Sequence, residues 1–408
     1  MFRFIKDLIA HLARGGTLYY AWLLILAALI VNGLIAYSHQ LQDGLIVTNM
    51  RDQVSWGFYI SNFTFLVGVA AAAVLLVIPA YLYNFKPIKE IVLFGEMIAV
   101  TALIMCILFV VVDLGRPQLA WHIMLSPNFP SSLLVWDVIA LNGYLVINLT
   151  AVTYVLYRAA HGKAYSMSIM WPIVLLSIPW AISIHTVTAF LYNGLSSRPF
   201  WNASIVAPRF IASALCSGPA LMILIFQAAR KLSKIDVTDA AIFKIAELIA
   251  YAMGLNLYLF GAEIFKEFYS DSIHLAPMKY LFFGLHGHDV LVPFTWTAVA
   301  CNLTAFFLLI DPKTRRNFRF LNIACVLVIV GVYIEKGMGL IIPGFVPDTL
   351  GEIYDYLPNA LELKVGAGIW AIGALIYTFM VKTAIPIYEG ELTLLPKGTT
   401  ADMSKLRH

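Results

Sequence analysis

Ten stretches of this sequence are each long and apolar enough to cross a bilayer, and that repetition limits the fold more than any motif does. They lie at roughly 17–38, 57–83, 91–112, 133–157, 169–192, 205–229, 242–265, 290–310, 320–341 and 364–387. A hydrocarbon core takes about 20 apolar residues per helix. Only helices or closed barrels satisfy backbone polar groups in lipid. The runs are too continuous for barrel strands, so they predict an all-α polytopic membrane protein with about ten transmembrane helices. No soluble domain fits between them, and the first run reads as a retained helix rather than a cleaved leader.

Composition agrees. The chain is 61% hydrophobic and 12% charged, where a soluble protein has about 25% charged residues. Too few charges remain to solvate a surface, which excludes a soluble enzyme, a disordered chain and a nucleic-acid binder. Cys106, Cys216, Cys301 and Cys325 all sit in apolar runs with no CxxC pair. That spacing excludes a disulfide framework, a zinc ribbon and a self-ligated iron–sulfur cluster.

Charge sets the direction. Nineteen Lys and Arg fall on the side of the two termini, Lys234, Lys397, Lys405 and Arg407 among them, and eight on the other. The positive-inside rule then places both termini in the cytoplasm. Outer loops are longer and carry aromatics, histidines and carboxylates, so chemistry or docking is expected there. The outer loop at 266–289 carries His274, His286 and His288, a weak metal signal that reads better as a docking surface.

Ionisable residues inside a membrane are costly, so each is a functional candidate. Glu96 and Glu247 lie near the cytoplasmic ends of their spans. They read either as snorkelling partners of Lys89 and Lys244 or as a proton path from the cytoplasm. Asn32 and His39 are seven residues apart on span 1, hence on one face. His185 lies near the outer end of span 5. A haem b would need His39 and His185 to face one another at matching depth.

The densest stretch runs from Asp113 to Tyr144: Asp113-Leu-Gly-Arg116-Pro117, Trp121-His122, Pro127, Pro130, then Trp136-Asp137. Asp113 and Arg116 can pair at i,i+3 and order the loop. A hairpin would return His122 towards Asp137, and Tyr144 shares the Asp137 face about 10 Å deeper. A lipid quinone exchanges two electrons and two protons at its ring. It needs an imidazole or hydroxyl for the ring oxygen and a carboxylate to relay the proton. The stretch supplies those types; a carboxylate at a helix N-terminus and belt tryptophans are the plainer alternative.

The run RDQVSWGFYISNFTFLVGVAAAAVLLVIPAYLY at 51–83, DLGRP at 113–117 and the Trp121-His122…Pro…Trp136-Asp137 stretch resemble the NrfD/PsrC family of quinone-interacting membrane subunits. The resemblance implies two four-helix bundles, spans 2–5 and 6–9, flanked by spans 1 and 10. The chain then reads as a single integral membrane domain over 1–408. Its parts are 1–56 (N-terminal segment and first span), 57–192 (first bundle), 205–341 (second bundle) and 342–408 (outer loop, last span and cytoplasmic tail).

The resemblance also implies a function. The expected protein is a quinone-binding subunit of a respiratory complex in a prokaryotic inner membrane, tied to dissimilatory sulfur metabolism and not catalytic alone. It would take menaquinone or menaquinol as bound substrate and hold no haem, iron–sulfur cluster or metal of its own. Its partners would be an outer ferredoxin-like iron–sulfur subunit and further membrane and cytochrome subunits. His122 and Asp137 would be the catalytic pair. Tyr144, Asn32, His39, Trp121 and His185 would line the quinone. Some relatives carry an acidic residue soon after the matching histidine, whereas Val187–Leu191 has none. A secondary transporter and a haem-b cytochrome are the rival readings.

Overall fold

The computed structural model describes residues 2–232, 237–272, 275–348 and 350–395. Lys234, His274, Lys397, Lys405 and Arg407 lie outside them. Among the described residues there is no strand beyond isolated bridges, and ten helices are long and apolar enough to cross a membrane. In order they are span 1 (Thr17–Asp43), span 2 (Phe58–Leu82), span 3 (Val92–Asp113), span 4 (Leu133–Ala160), span 5 (Met167–Asn193), span 6 (Val206–Leu232), span 7 (Asp239–Ser270), span 8 (Val292–Ile310), span 9 (Phe318–Phe345) and span 10 (Ala360–Tyr388).

Every expected span is present, and most run a turn longer than the apolar stretch that signals them. Polar ends extend the helices through caps: Ser132, Thr238 and Asn317 side chains each accept a bond from a first-turn N–H. Such caps satisfy groups that the helix leaves open. An amphipathic helix, Phe2–Ala13, precedes span 1.

Two spans change form along their length. Span 2 ends in a wider π turn, Ile78–Leu82, which contains Pro79. A proline has no N–H for the helical ladder, and the wider turn absorbs that gap. Span 9 breaks at Gly337 and continues as two short pieces, Met338–Ile341 and Ile342–Phe345.

Spans 2, 3, 4 and 5 pack in a ring, each against its chain neighbours, and span 5 closes on span 2. Spans 6, 7, 8 and 9 form a second ring in the same way. The rings meet where spans 2 and 5 touch span 6 and span 2 touches span 9. Span 10 lies against span 1 and span 3. A Cβ on Gly33 would sit 2.8 Å from Gly368 Cα, so spans 1 and 10 cross with their backbones almost in contact. Small residues permit such approach, and packing drives it where lipid gives no hydrophobic gain. Span 2 and span 3 are the most buried elements and form the core.

Candidate functional site

The residues with ionisable or hydrogen-bonding chemistry gather in four places, three of them towards the face that bears the connections between spans 1–2, 3–4, 5–6, 7–8 and 9–10. At the first, Asp137 lies in the opening turns of span 4 with its side chain turned inward and 2% exposed. Thr188 on span 5 donates to Asp137 Oδ1 at 2.7 Å. His185, one turn away on span 5, is equally buried; its Nδ1 lies 3.2 Å from the Ala181 carbonyl and its Nε2 has no partner. Below Asp137 on the same face, Tyr144 is 1% exposed. Above it, Tyr192 shares a 2.5 Å hydrogen bond with Thr64 of span 2. Buried polar atoms without a partner are uncommon in native interiors, and the His185 Nε2 is one of them.

Lys336, at the break in span 9, closes the cluster from the second bundle. It is 4% exposed, donates to the Phe210 carbonyl at 3.1 Å and stands 4.4 Å above the Phe210 ring. A Cβ on Gly68 would come within 3.3 Å of Lys336 Nζ, so this glycine leaves the ammonium its place. An aromatic lid lies over the cluster: Trp56 stacks on Trp201 at 5.7 Å, and Tyr192 and Phe345 pack edge-on around them. The Trp201 indole N–H is satisfied by the Leu340 carbonyl at 2.8 Å.

The second place is an ion network inside the second bundle. Arg209 on span 6 pairs with Glu263 of span 7 and, at 2.7 Å, with Glu335 of span 9. Asn302 and Asn256 donate to the other Glu335 oxygen at 2.8 and 3.3 Å. Adjacent residues on span 9 thus point to different interiors, Glu335 into the second ring and Lys336 to the junction. Two cavities of about 30 and 20 Å³ touch the network, each with room for about one water.

The third place joins the connection between spans 1 and 2 to the start of span 10. Glu362 is fully buried and accepts from the backbone N–H of Asn49 and of Asn359, both at 3.0 Å, and from the Tyr356 hydroxyl. Tyr356 in turn accepts the Phe58 N–H at 2.8 Å. Burial, then the neighbouring carboxylate, holds the Tyr356 phenol above its ordinary range, so it stays a donor.

The fourth lies near the other end of the first bundle. Glu96 is 3% exposed with one carboxylate oxygen unpartnered. Tyr81, Tyr144, Tyr165 and Tyr388 all lie within its electrostatic reach. Tyr165, in the connection between spans 4 and 5, has its phenol pushed up to about 12 by burial and by Glu96.

The structure brings Asp137, His185 and Tyr144 into one interior. It does not bring the other expected residues there. Asn32 and His39 are exposed, because span 1 turns Leu26, Gly33, Ala36 and Gln40 inward and its polar pair out. His39 on that outer side and His185 in the bundle are not a facing imidazole pair. His122 and Trp121 stand exposed on the 114–132 connection, their rings edge-on at 4.1 Å. Among the described residues no ion pair joins Asp113 to Arg116; Arg116 is exposed and Asp113 Oδ1 is buried without a partner. Glu247 pairs at the surface with Lys244 at 3.0 Å and accepts from Tyr251 at 3.2 Å.

Sequence reasoning missed Thr188, Lys336 and the Arg209–Glu335 pair. A signal for two of them existed: Glu335-Lys336 adjoin inside an apolar run, where charges are expensive. Among the described residues no three His, Cys, Asp or Glu side chains group as a metal site would require.

An all-helical, ten-span membrane protein with most of its buried acid–base groups towards one face is the class that fold and site define. Residues 46–347 match the polysulphide reductase NrfD family, and the chain belongs to that family. It is 27% identical to a protein of Halobacterium salinarum named as a membrane subunit of dimethyl sulfoxide reductase, over 90% of this chain and 91% of that one. The Hdr-like menaquinol oxidoreductase integral membrane subunit of Archaeoglobus fulgidus is 23% identical, over 89% and 92%. The menaquinone reductase integral membrane subunit of Nitratidesulfovibrio vulgaris is also 23% identical, over 89% and 90%. Membrane subunits of multi-subunit oxidoreductases are thus its relatives along nearly the whole length.

Proposed function

We propose that this chain is the quinone-binding membrane subunit of a respiratory complex in a prokaryotic inner membrane, with menaquinol oxidised near the outer face. The long-connection face is then the outer face and both termini are cytoplasmic, in line with the Lys and Arg asymmetry. The observation that carries the reading is the buried hydrogen bond from Thr188 to Asp137, with His185 buried one turn from Thr188 and its Nε2 unpartnered.

Quinol gives up two electrons and two protons. His185 Nε2 takes the proton of one ring hydroxyl, and Asp137, its carboxylate fixed by Thr188, takes that of the other. Tyr144 bounds the ring from below. Asp137, Thr188, His185 and Tyr144 are each 2% exposed or less, so a ring is admitted by displacement of the aromatic lid of Trp56, Trp201 and Phe345. His122 on the exposed 114–132 connection passes both protons on to water in turn, and Asp113 and Arg116 shape its base. Electrons leave to an iron–sulfur subunit docked on the outer connections, where Leu119, Trp121, Met124, Leu125 and Phe129 already present an exposed apolar surface. Menaquinol is named in a relative, and we read the chain, over nearly its whole length, as most like DsrP, a membrane subunit of a sulfite-reduction-associated complex, which favours a role in sulfur respiration.

The reading predicts that a fluorescent quinol analogue is quenched on binding the purified chain and that His185→Ala weakens the binding. An analogue that fails to bind the wild-type chain contradicts it. A transporter reading would require helices broken at paired mid-membrane positions; here span 2 is interrupted at Ala72–Ala73 and widens at Ile78–Leu82, and span 9 breaks at Gly337, so the first span of one bundle and the last of the other are affected rather than a matched pair.

A further inference from the structure

A second place suited to a quinone ring lies on the opposite side of span 2 from Asp137. A cleft of about 500 Å³ runs between spans 2, 9 and 10. Phe58, Asn62, Tyr333, Gly366 and Trp370 line it, with Leu363 and Val330 at its edges. Those edge residues are 48% and 39% exposed on the membrane-facing perimeter, so the cleft opens sideways to lipid. On span 10 its lining extends from Leu363 to Trp370, which is about 10 Å of depth at the helical rise.

Asn62 is the unusual member. It is fully buried in an otherwise apolar helix. Its Oδ1 accepts from the Trp370 indole at 2.9 Å and from the Tyr333 hydroxyl at 3.2 Å, and its Nδ2 donates to the Phe58 carbonyl at 2.8 Å. With its proton given to Asn62, the half-buried Tyr333 hydroxyl still has an oxygen that can accept from a ring hydroxyl in the cleft. Burying such a group in hydrocarbon is costly without partners. Three flat rings, Phe58, Tyr333 and Trp370, form the walls, and Phe65 backs Tyr333 edge-on at 5.2 Å.

We infer that this cleft seats the ring of a membrane quinone as a second site, separate from the Asp137 cluster. The inference rests on the quinone-linked reading above. No charged side chain lines the cleft, so a phospholipid phosphate finds no cation there, and an acyl chain would leave the lone pair of the half-buried Tyr333 hydroxyl unused. A planar ring with a polar edge and an isoprenoid tail matches walls, phenol oxygen and lateral opening together. Asn62 and Thr64 are two residues apart, hence on roughly opposite sides of a helix with 3.6 residues per turn. Thr64 bonds Tyr192 in the first bundle, so span 2 stands between the two sites.

The test is photolabelling of the full chain in phosphatidylethanolamine–phosphatidylglycerol vesicles with an azido-naphthoquinone bearing a short isoprenoid tail. Labelled peptides are mapped by mass spectrometry. The expected result is label around Tyr333 and Trp370 that excess unlabelled menaquinone removes from the wild type. Ala367→Trp, which narrows the cleft, should lower it by about tenfold, equivalent to about 1.4 kcal/mol, and leave any label on spans 4 and 5 unchanged. Label confined to spans 4 and 5 overturns the second site and leaves the proposed function standing. Cleft label that a plain phospholipid displaces as well as menaquinone does also overturns it, by showing an acyl groove. Absence of quinone-specific label anywhere overturns both.

Discussion

The hydroxyl of Thr188 reaches from span 5 to the carboxylate of Asp137 on span 4, at 2.7 Å, and also returns a bond to the Ile184 carbonyl. A threonine hydroxyl has one proton, so the two oxygens compete for it, and the donor stays fixed between the spans. The carboxylate is thereby aimed into the first bundle rather than towards solvent. Removing the hydroxyl in Thr188→Val deletes a hydrogen bond to a charged group, worth about 1.5–3 kcal/mol. Quinol turnover of the assembled complex should fall by about tenfold or more, and Thr188→Ser should restore it. Unchanged turnover in Thr188→Val would remove the threonine from the site.

Arg209 should matter to stability more than to turnover. It neutralises Glu263 and Glu335 at once in a buried position. Truncating one partner of a buried ion set leaves uncompensated charge, at a cost of about 3–5 kcal/mol. Arg209→Met should therefore lower the thermal midpoint in detergent, and Arg209→Met with Glu263→Gln and Glu335→Gln should recover much of the loss. A midpoint equal to wild type in the single variant would show that the network carries no such weight.

How far the sequence reaches is visible in the same residues. All ten spans are legible, because a hydrophobic stretch long enough to cross a bilayer has few alternatives. Asp137, His185 and Tyr144 are legible as types, since polar groups in apolar runs stand out. Orientation about the helix axis is what pattern reading fails to deliver. Span 1 is apolar on nearly all sides, so nothing in it announces that Gln40 turns inward, to Tyr59 at 2.7 Å and the Val112 carbonyl at 2.6 Å, while His39 turns out. Partners far apart in the chain are hidden for the same reason: Thr188 and Asp137 are joined by the packing of spans 4 and 5, and Lys336 by the meeting of two bundles.

That orientation yields a negative prediction. Asn32→Leu and His39→Ala alter only the exposed side of span 1, so quinol turnover should stay within about twofold, a barrier change of under about 0.5 kcal/mol. A loss of tenfold or more in either would show that span 1 turns its polar side to the ring.

Glu362 and Tyr356 hold the connection between spans 9 and 10 against that between spans 1 and 2. Tyr356→Phe removes one buried donor and leaves the Phe58 N–H without its acceptor, a cost of about 1–3 kcal/mol. Limited proteolysis within 346–359 should accelerate in this variant, with the spans themselves still protected. Cleavage at the wild-type rate would contradict the tie.

The account turns on Asp137 as the group that takes the quinol proton. The direct measurement is steady-state quinol oxidation by the intact complex carrying Asp137→Asn, with the amount of each partner protein checked on the same preparation. Asparagine keeps the shape and the Thr188 contact but cannot accept the proton. Loss of a positioned base lowers rate by about 10²–10⁴-fold, so turnover should nearly vanish in a complex that is still assembled, and Asp137→Glu should restore part of it. Turnover at the wild-type rate in assembled Asp137→Asn would contradict the central claim.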